Sequence, residues 1–215
     1  MQILAILIAY LIGSLPMGYI VVKIAKKRDI TQFGSGRTGG TNAMRAGGFS
    51  AGLLTAIFDL FKGFLVVWIA RWILPDETWM HVLAGVAAVL GHNWSIWLYL
   101  LTGKLSAGAG TAPNVGAAMA FWPWIGLILM PVIAIFVLVI GYASVASMVA
   151  ALMIPIVFYV LAVQAGMSQV YIFYGLLTSL LVFWALRGNI VNLFRGTERR
   201  VGLFAKKNEN ASPSL

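Results

Sequence analysis

Apolar residues are distributed along this chain in long blocks, with most polar residues gathered between them. The blocks run from Ile3 to about Val22, Ala51 to Leu74, Met80 to Leu101, Ala112 to Gly141, Val145 to Ala165 and Val170 to Leu186. A helix needs about 20 apolar residues to cross a bilayer, and these blocks predict membrane-spanning helices. The fourth block is too long for one ordinary span. Pro123 lies inside it between Trp122 and Trp124. Proline breaks a helix and indole rings prefer the membrane interface, so a division there into about Ser106–Trp122 and Ile125–Ile140 is predicted. The first block is interrupted at Gly13-Ser14-Leu15-Pro16, which reads equally well as a kink near a site or a packing irregularity. The pattern predicts an all-α polytopic membrane bundle of seven transmembrane spans.

Charge sets the expected orientation. Lys23, Lys26, Lys27, Arg28, Arg37 and Arg45 make 23–48 the most basic connection. The positive-inside rule places it in the cytoplasm and the N-terminus outside. Arg187, Arg195, Arg199, Arg200, Lys206 and Lys207 place the C-terminus in the cytoplasm as well, which demands an odd number of crossings and agrees with the division at Pro123. Pro75-Asp76-Glu77-Thr78 reads as an acidic outer turn. Composition agrees with the membrane class: 61% of the 215 residues are hydrophobic, 10% are charged, and mean hydropathy is +0.92. With no cysteine, disulfides and thiolate catalysis are excluded. The net charge of +9 points to cytoplasmic loops and anionic partners, not nucleic acid. Residues 1–207 are expected to form a single integral-membrane domain, monomeric in the lipid bilayer and without a cleavable signal peptide, and 208–215 a disordered tail.

Candidate chemistry concentrates in Gly34-Ser35-Gly36-Arg37-Thr38-Gly39-Gly40-Thr41-Asn42-Ala43-Met44-Arg45. Four glycines let successive N–H groups face one concavity, the hydroxyl and amide side chains add hydrogen bonds, and an Arg fork suits phosphate. The segment is expected to be an oxyanion cradle; the competing reading is a flexible polar connector. Gly34, Gly36 and Gly39 match a dinucleotide fingerprint, but no strand precedes them, and the chain has no Walker A sequence. A second small-residue segment, 102–111 with Lys104, is expected on the same face and in the same anion site; the competing reading is a low-complexity stretch with no role. Inside the spans, Asp59 and Lys62 are three apart and are expected to pair, and His92 is expected to be a satisfied buried histidine more readily than a functional one. No catalytic triad, paired carboxylate or metal-ligand spacing stands out. Chemistry here would rest on positioning and electrostatics, with a phosphate monoester, whose second pKa is about 6, serving as base.

Gly13-Ser14-Leu15-Pro16-Met17-Gly18-Tyr19, the 34–45 segment, Asp59-Leu60-Phe61-Lys62-Gly63, Gly91-His92, Tyr142-Ala143-Ser144, Asn189-Ile190 and Gly196-Thr197-Glu198 together resemble the bacterial acyl-phosphate-dependent glycerol-3-phosphate acyltransferases over nearly the whole chain. The resemblance implies a multi-pass enzyme of the cell's inner membrane with its active site on the cytoplasmic face. It implies transfer of a fatty acyl group from acyl-phosphate to the 1-hydroxyl of glycerol 3-phosphate, giving lysophosphatidate in the first step of phospholipid synthesis, with no metal or cofactor. Ser35 and Arg45 fall on the family's catalytic positions, and Gly34, Gly36, Gly40, Thr41, Asn42, Lys104 and Asn189 on its substrate-binding ones. Arg37, Leu105, Gly141 and Leu186 depart from the family's usual residues. The alternatives are a catalytically altered paralogue, an anion or phosphate carrier, or a non-catalytic scaffold.

Overall fold

In the computed structural model, residues 1–201 are described, and every regular element among them is helical. The expected limit at residue 207 and the tail 208–215 lie outside the described residues. The elements are α1 (Gln2–Gly13), α2 (Met17–Lys26), α3 (Gly40–Gly47), α4 (Phe49–Ile73), α5 (Thr78–Asn93), α6 (Ile96–Thr102), α7 (Thr111–Phe121), α8 (Ile125–Ile135), α9 (Ala143–Ala165) and α10 (Val170–Phe194). Four segments are long and apolar enough to cross a membrane: Gln2–Lys26 counted through its break, Phe49–Ile73, Ala143–Ala165 and Val170–Phe194. Their outward faces expose large apolar side chains such as Phe61, Val163 and Leu180, as lipid contact requires. The remaining apolar blocks form shorter helices; α5 has 16 residues and α7 has 11.

The break at Pro123 is present, with α7 ending at Phe121 and α8 beginning at Ile125. α8 then runs into a π-helical turn, Phe136–Ile140, closed by Gly141 in the left-handed conformation. The expected continuous span from Met80 to Leu101 is instead broken at Trp94-Ser95. Ser95 caps α6, accepting from Leu98 N–H at 2.9 Å. This break lies against the one between α1 and α2. Ser95 Oγ donates to Ser14 O at 2.5 Å, Ile96 N–H donates to Ser14 Oγ at 2.9 Å, and Lys62 Nζ donates to Leu15 O at 2.7 Å. Each interruption thus supplies the partners that the other lacks, which is the condition for irregular backbone inside an apolar bundle.

The helix expected from Ser106 starts five residues late, at Thr111. Residues 105–107 instead double back beside the broken helix, where Ser95 N–H donates to Leu105 O and Ala107 N–H donates to Asn93 O, each at 2.9 Å. Buried Phe121, Phe158 and Tyr174 centre the core, and Phe121 stacks on Tyr171 with ring centroids 4.7 Å apart. Tyr174 satisfies its hydroxyl by donating to Asn114 Oδ1 at 2.7 Å.

Small residues set the distance between α4 and α7. A side chain on Gly116 would overlap the backbone of Leu60, and one on Gly63 the backbone of Pro113. Gly116→Val is therefore expected to destabilise the protein by more than about 3 kcal/mol, because backbone on both sides cannot yield. Thermal unfolding in detergent measures this, and a melting temperature equal to wild type would show that the helices can separate without loss.

Candidate active site

The 34–45 segment is not one loop. Asp29 opens it by accepting from Thr31 N–H at 2.9 Å, which winds residues 30–32 into a short 3-10 turn. Burial would raise the Asp29 carboxyl, but hydrogen bonds from Thr31 and Gln32 and the nearby charge of Lys104 leave it below the usual carboxylate value. The chain then turns through Gly34 and Gly36, whose φ angles of +51° and +70° favour glycine. From Gly40 onward it is α3, not loop. Gly40 does not cradle a ligand with its Cα face: a Cβ there would come 3.0 Å from Gly52 O, so this glycine lets α3 lie close on α4.

Asn42, in the first turn of α3, organises the loop. Its Oδ1 accepts from Ser35 N–H at 3.1 Å. Its Nδ2 donates to Phe33 O at 2.9 Å, Arg37 O at 2.8 Å and Ile30 O at 3.3 Å. Loop and helix N-terminus are thereby one unit, and the α3 terminus at Gly39–Thr41 opens into the cavity described below.

The expected meeting of the glycine-rich segments occurs. Thr38 N–H and Oγ1 both donate to Ala107 O, at 2.6 Å and 3.1 Å. Lys104 Nζ reaches Thr31 Oγ1 at 3.2 Å. The C-terminal segment joins the same end of the bundle: Arg37 Nη2 donates to Ala185 O at 2.8 Å, and Arg45 Nη2 to Arg200 O at 3.1 Å. Glu198 is held on one oxygen by Ser144 Oγ at 2.7 Å and Asn189 Nδ2 at 2.8 Å. Burial lowers the Arg37 pKa; Glu198 works against that and Arg187 adds to it. Arg37 remains a cation at neutral pH, because guanidinium deprotonates only at very high pH.

Two hollows lie at this junction. The larger, about 950 Å³, is amphipathic. Ser35, Gly40, Thr41, Asn42, Arg45 and Asn189 border its polar part, and Leu53 and Ile57 of α4 with Met130, Ile133 and Val137 of the α8 segment form its apolar wall. The smaller, about 650 Å³, is bordered by Thr31, Gly34, Gly36 and Lys104. Ser35 and Arg37 border both. Every site residue expected from the sequence therefore lies at one of two adjoining hollows. Sequence reasoning placed Arg37 in the expected cradle and Ser144 and Glu198 in family-like motifs without giving any of the three a site role, and it missed that Asp59 and His92 reach the cavity. The motifs Tyr142-Ala143-Ser144 and Gly196-Thr197-Glu198 were the available signal for the last two, and the charge of Arg37 within the glycine-rich segment was the signal for the first.

An apolar helical bundle with a cationic, hydroxyl-rich cavity opening on an apolar wall places the chain in the class of integral membrane enzymes. Comparisons with known proteins narrow the class. The glycerol-3-phosphate acyltransferase family profile matches residues 3–196, and the chain belongs to this family of acyltransferases. It is 35% identical over 202 residues to a glycerol-3-phosphate acyltransferase of Prochlorococcus marinus strain NATL1A, covering 94% of this chain and 99% of the relative. With the corresponding protein of Gloeobacter violaceus it shares 37% identity over 198 residues, 90% of this chain and 92% of the relative. A crystal structure of an integral membrane glycerol 3-phosphate acyltransferase in its glycerol 3-phosphate form superposes with a TM-score of 0.79 at 31% identity, covering 94% of this chain and 96% of the other. Its lysophosphatidic acid form gives 0.77 at 30%, covering 95% and 97%.

Asn42→Ala should free the loop while leaving α3 in place. At about 1 kcal/mol for each of several lost hydrogen bonds, amide exchange at residues 30–39 should accelerate by about 10²-fold or more. Unchanged exchange would mean that other contacts hold the loop.

Proposed function

We propose that the chain transfers a fatty acyl group from acyl-phosphate to the 1-hydroxyl of glycerol 3-phosphate, releasing lysophosphatidate and inorganic phosphate. The observation that carries this reading is the pair of hollows sharing Ser35 and Arg37. One is small and cationic, suited to a compact phosphorylated polyol; the other is cationic at one end and apolar along its wall, suited to a phosphate bearing a chain. The solved acyltransferase found in a glycerol 3-phosphate form supports the acceptor, and the lysophosphatidic acid form of that enzyme supports the product.

In this reading Lys104, Arg37 and the backbone at Gly34 and Gly36 hold the acceptor's phosphate. Ser35, Arg45 and the α3 N-terminus around Gly40 and Thr41 hold the phosphate of the donor. Asn42 keeps the loop in shape, and Asn189 with Ser144 positions Glu198 to accept from a glycerol hydroxyl. The acyl tail lies along Leu53, Ile57, Met130 and Ile133 and reaches the bilayer between α4 and α8. The acceptor oxygen attacks the acyl carbonyl carbon, forming the ester C–O bond, and the bond from that carbon to the phosphate oxygen breaks. The hydroxyl proton passes to a phosphate dianion, whose second pKa of about 6 suits a base at neutral pH. Holding both reactants in adjoining hollows supplies the largest part of the rate, through orientation and prepaid entropy. In this reading the basic segments favour a site on the cytoplasmic face of the cell's inner membrane, with the N-terminus outside and seven crossings, four of them made by short or broken helices. The protein acts as a monomer and needs no metal.

Purified protein offered acyl-phosphate, acyl-CoA and acyl-carrier protein in parallel with glycerol 3-phosphate tests this. Turnover is expected with acyl-phosphate alone, and turnover with either thioester alone would refute the donor assignment. Ser35→Ala and Arg45→Ala should each lower kcat/KM by at least about 10²-fold with normal membrane insertion; wild-type rates in either would remove that residue from the mechanism.

A further inference from the structure

Asp59, Lys62 and His92 form a buried cluster between α4 and α5 to which the reaction above gives no part. Their residues are 1%, 4% and 5% exposed. Lys62 Nζ lies 2.8 Å from Asp59 Oδ1, 2.7 Å from Leu15 O and 3.0 Å from His92 Nδ1. His92 Nδ1 is 3.5 Å from Asp59 Oδ1, at the limit of hydrogen bonding.

These distances assign the histidine proton. Lys62 is an ammonium ion, because a carboxylate lies beside it and a carbonyl accepts from it. An ammonium has donors and no acceptor, so the 3.0 Å contact requires a bare Nδ1 on His92. A doubly protonated ring would press a second cation against the first at that distance in an apolar interior, and is excluded on energy. The ring is therefore neutral with its hydrogen on Nε2.

Nε2 is on the far side of the ring, against Gly108, where a Cβ would overlap the imidazole. His92 makes no further hydrogen bond among the described residues, and it lines the larger cavity together with Asp59, Gly108 and Ala109. The same cavity is lined by Gly108, Gly110 and Thr111 and, on α4, by Ile57 and Leu60, so His92 shares a lining with polar and apolar groups alike. In the acyl-phosphate reading the donor's carbonyl lies between its phosphate and its chain, and so within this lining.

We infer that His92 is a neutral Nε2–H donor to the acyl carbonyl oxygen, with Lys62 as the residue that holds its tautomer. The inference rests on the acyl-phosphate reading of the cavity. When the acceptor oxygen bonds to the carbonyl carbon, the C=O electron pair moves onto the carbonyl oxygen, and Nε2–H stabilises that charge without giving up its proton. The pair returns as phosphate leaves, so His92 is unchanged over the cycle. A neutral donor suits this place, since an imidazolium would be repelled by Lys62 and could protonate the oxyanion outright.

The chain contains two histidines, His81 and His92, so imidazole-labelled wild-type protein gives an assignable nitrogen spectrum, with His81→Asn identifying the other ring. His92 should show a protonated Nε2 and a bare Nδ1 at neutral pH, and its Nε2 resonance should move when a non-hydrolysable acyl phosphonate is added. His92→Phe, which keeps a ring but no donor, should lose about 10²-fold in kcat with little change in donor KM, and His92→Gln should recover part of that loss. A proton on Nδ1, an Nε2 signal indifferent to the phosphonate, or His92→Phe at full kcat would each overturn the inference, and the spectrum decides it even if the variants fail to fold. If wild type does not use acyl-phosphate, the parent reading fails and takes this one with it; an active wild type with a silent His92 sinks this one alone.

Discussion

The hydrogen bonds between Ser14 and Ser95 are the constraint on which the rest of the architecture depends. A helix broken inside an apolar bundle exposes carbonyls and amides that lipid cannot satisfy. Here two helices break side by side, and each serine serves the other's chain. Lys62 takes the carbonyl of Leu15, and residues 105–107 take the amide of Ser95 and the carbonyl of Asn93. The second break is what turns 103–110 back into the bundle, and Ala107 is the point to which Thr38 of the other loop is tied. Without the paired breaks the two glycine-rich segments would have no common anchor.

The cost of assembling so many cations at one end is offset locally. Arg37 lies near Arg187 but also near Glu198, whose one oxygen accepts from Ser144 and Asn189. Arg45 and Arg37 each donate to a backbone carbonyl, which fixes their direction. Both border the larger hollow, and an anion arriving there meets guanidinium donors already oriented. Asp29 is occupied in capping its turn and Asp59 in pairing with Lys62. The acidic turn with Asp76 and Glu77 lies beyond the far end of α4, a helix about 37 Å long at 1.5 Å per residue.

Much of this was legible in the sequence because the signals were local. The apolar blocks, the break at Pro123 and the three-residue spacing of Asp59 and Lys62 each follow from composition or helical geometry. What stayed hidden depends on contacts distant in sequence. Gly39-Gly40 conceals a helix start, since glycine is a poor helix former; only the close approach to Gly52 explains it. Ser95 follows Gly91-His92-Asn93, polar residues that read as buried groups inside one span, and their order alone does not announce a break whose partner is 81 residues earlier. Asn42 looked like a ligand-facing amide, yet its side chain is consumed by the loop that it holds. His92 looked like a buried histidine with its needs met, and one of its nitrogens is; the other lies against Gly108, in a residue that lines a cavity only the fold creates.

That division of labour explains how a site poor in side-chain bases can carry out acyl transfer. In the proposed reaction two phosphorylated reactants bring their own base, and the protein has to align them and stabilise charge on one oxygen. Alignment needs rigid donors at the phosphates, which the Asn42-locked loop, the α3 terminus and the tethered arginines provide. Stabilisation needs a donor that neither titrates away nor surrenders its proton to the intermediate. An arginine there would also grip the ground-state phosphate and blur the distinction between donor and acceptor hollows. In the inferred role, a neutral imidazole held in one tautomer by Lys62, itself held by the broken helix, would discriminate for the carbonyl. The packing that mends the helix breaks and the chemistry of the cavity are thus connected through Lys62.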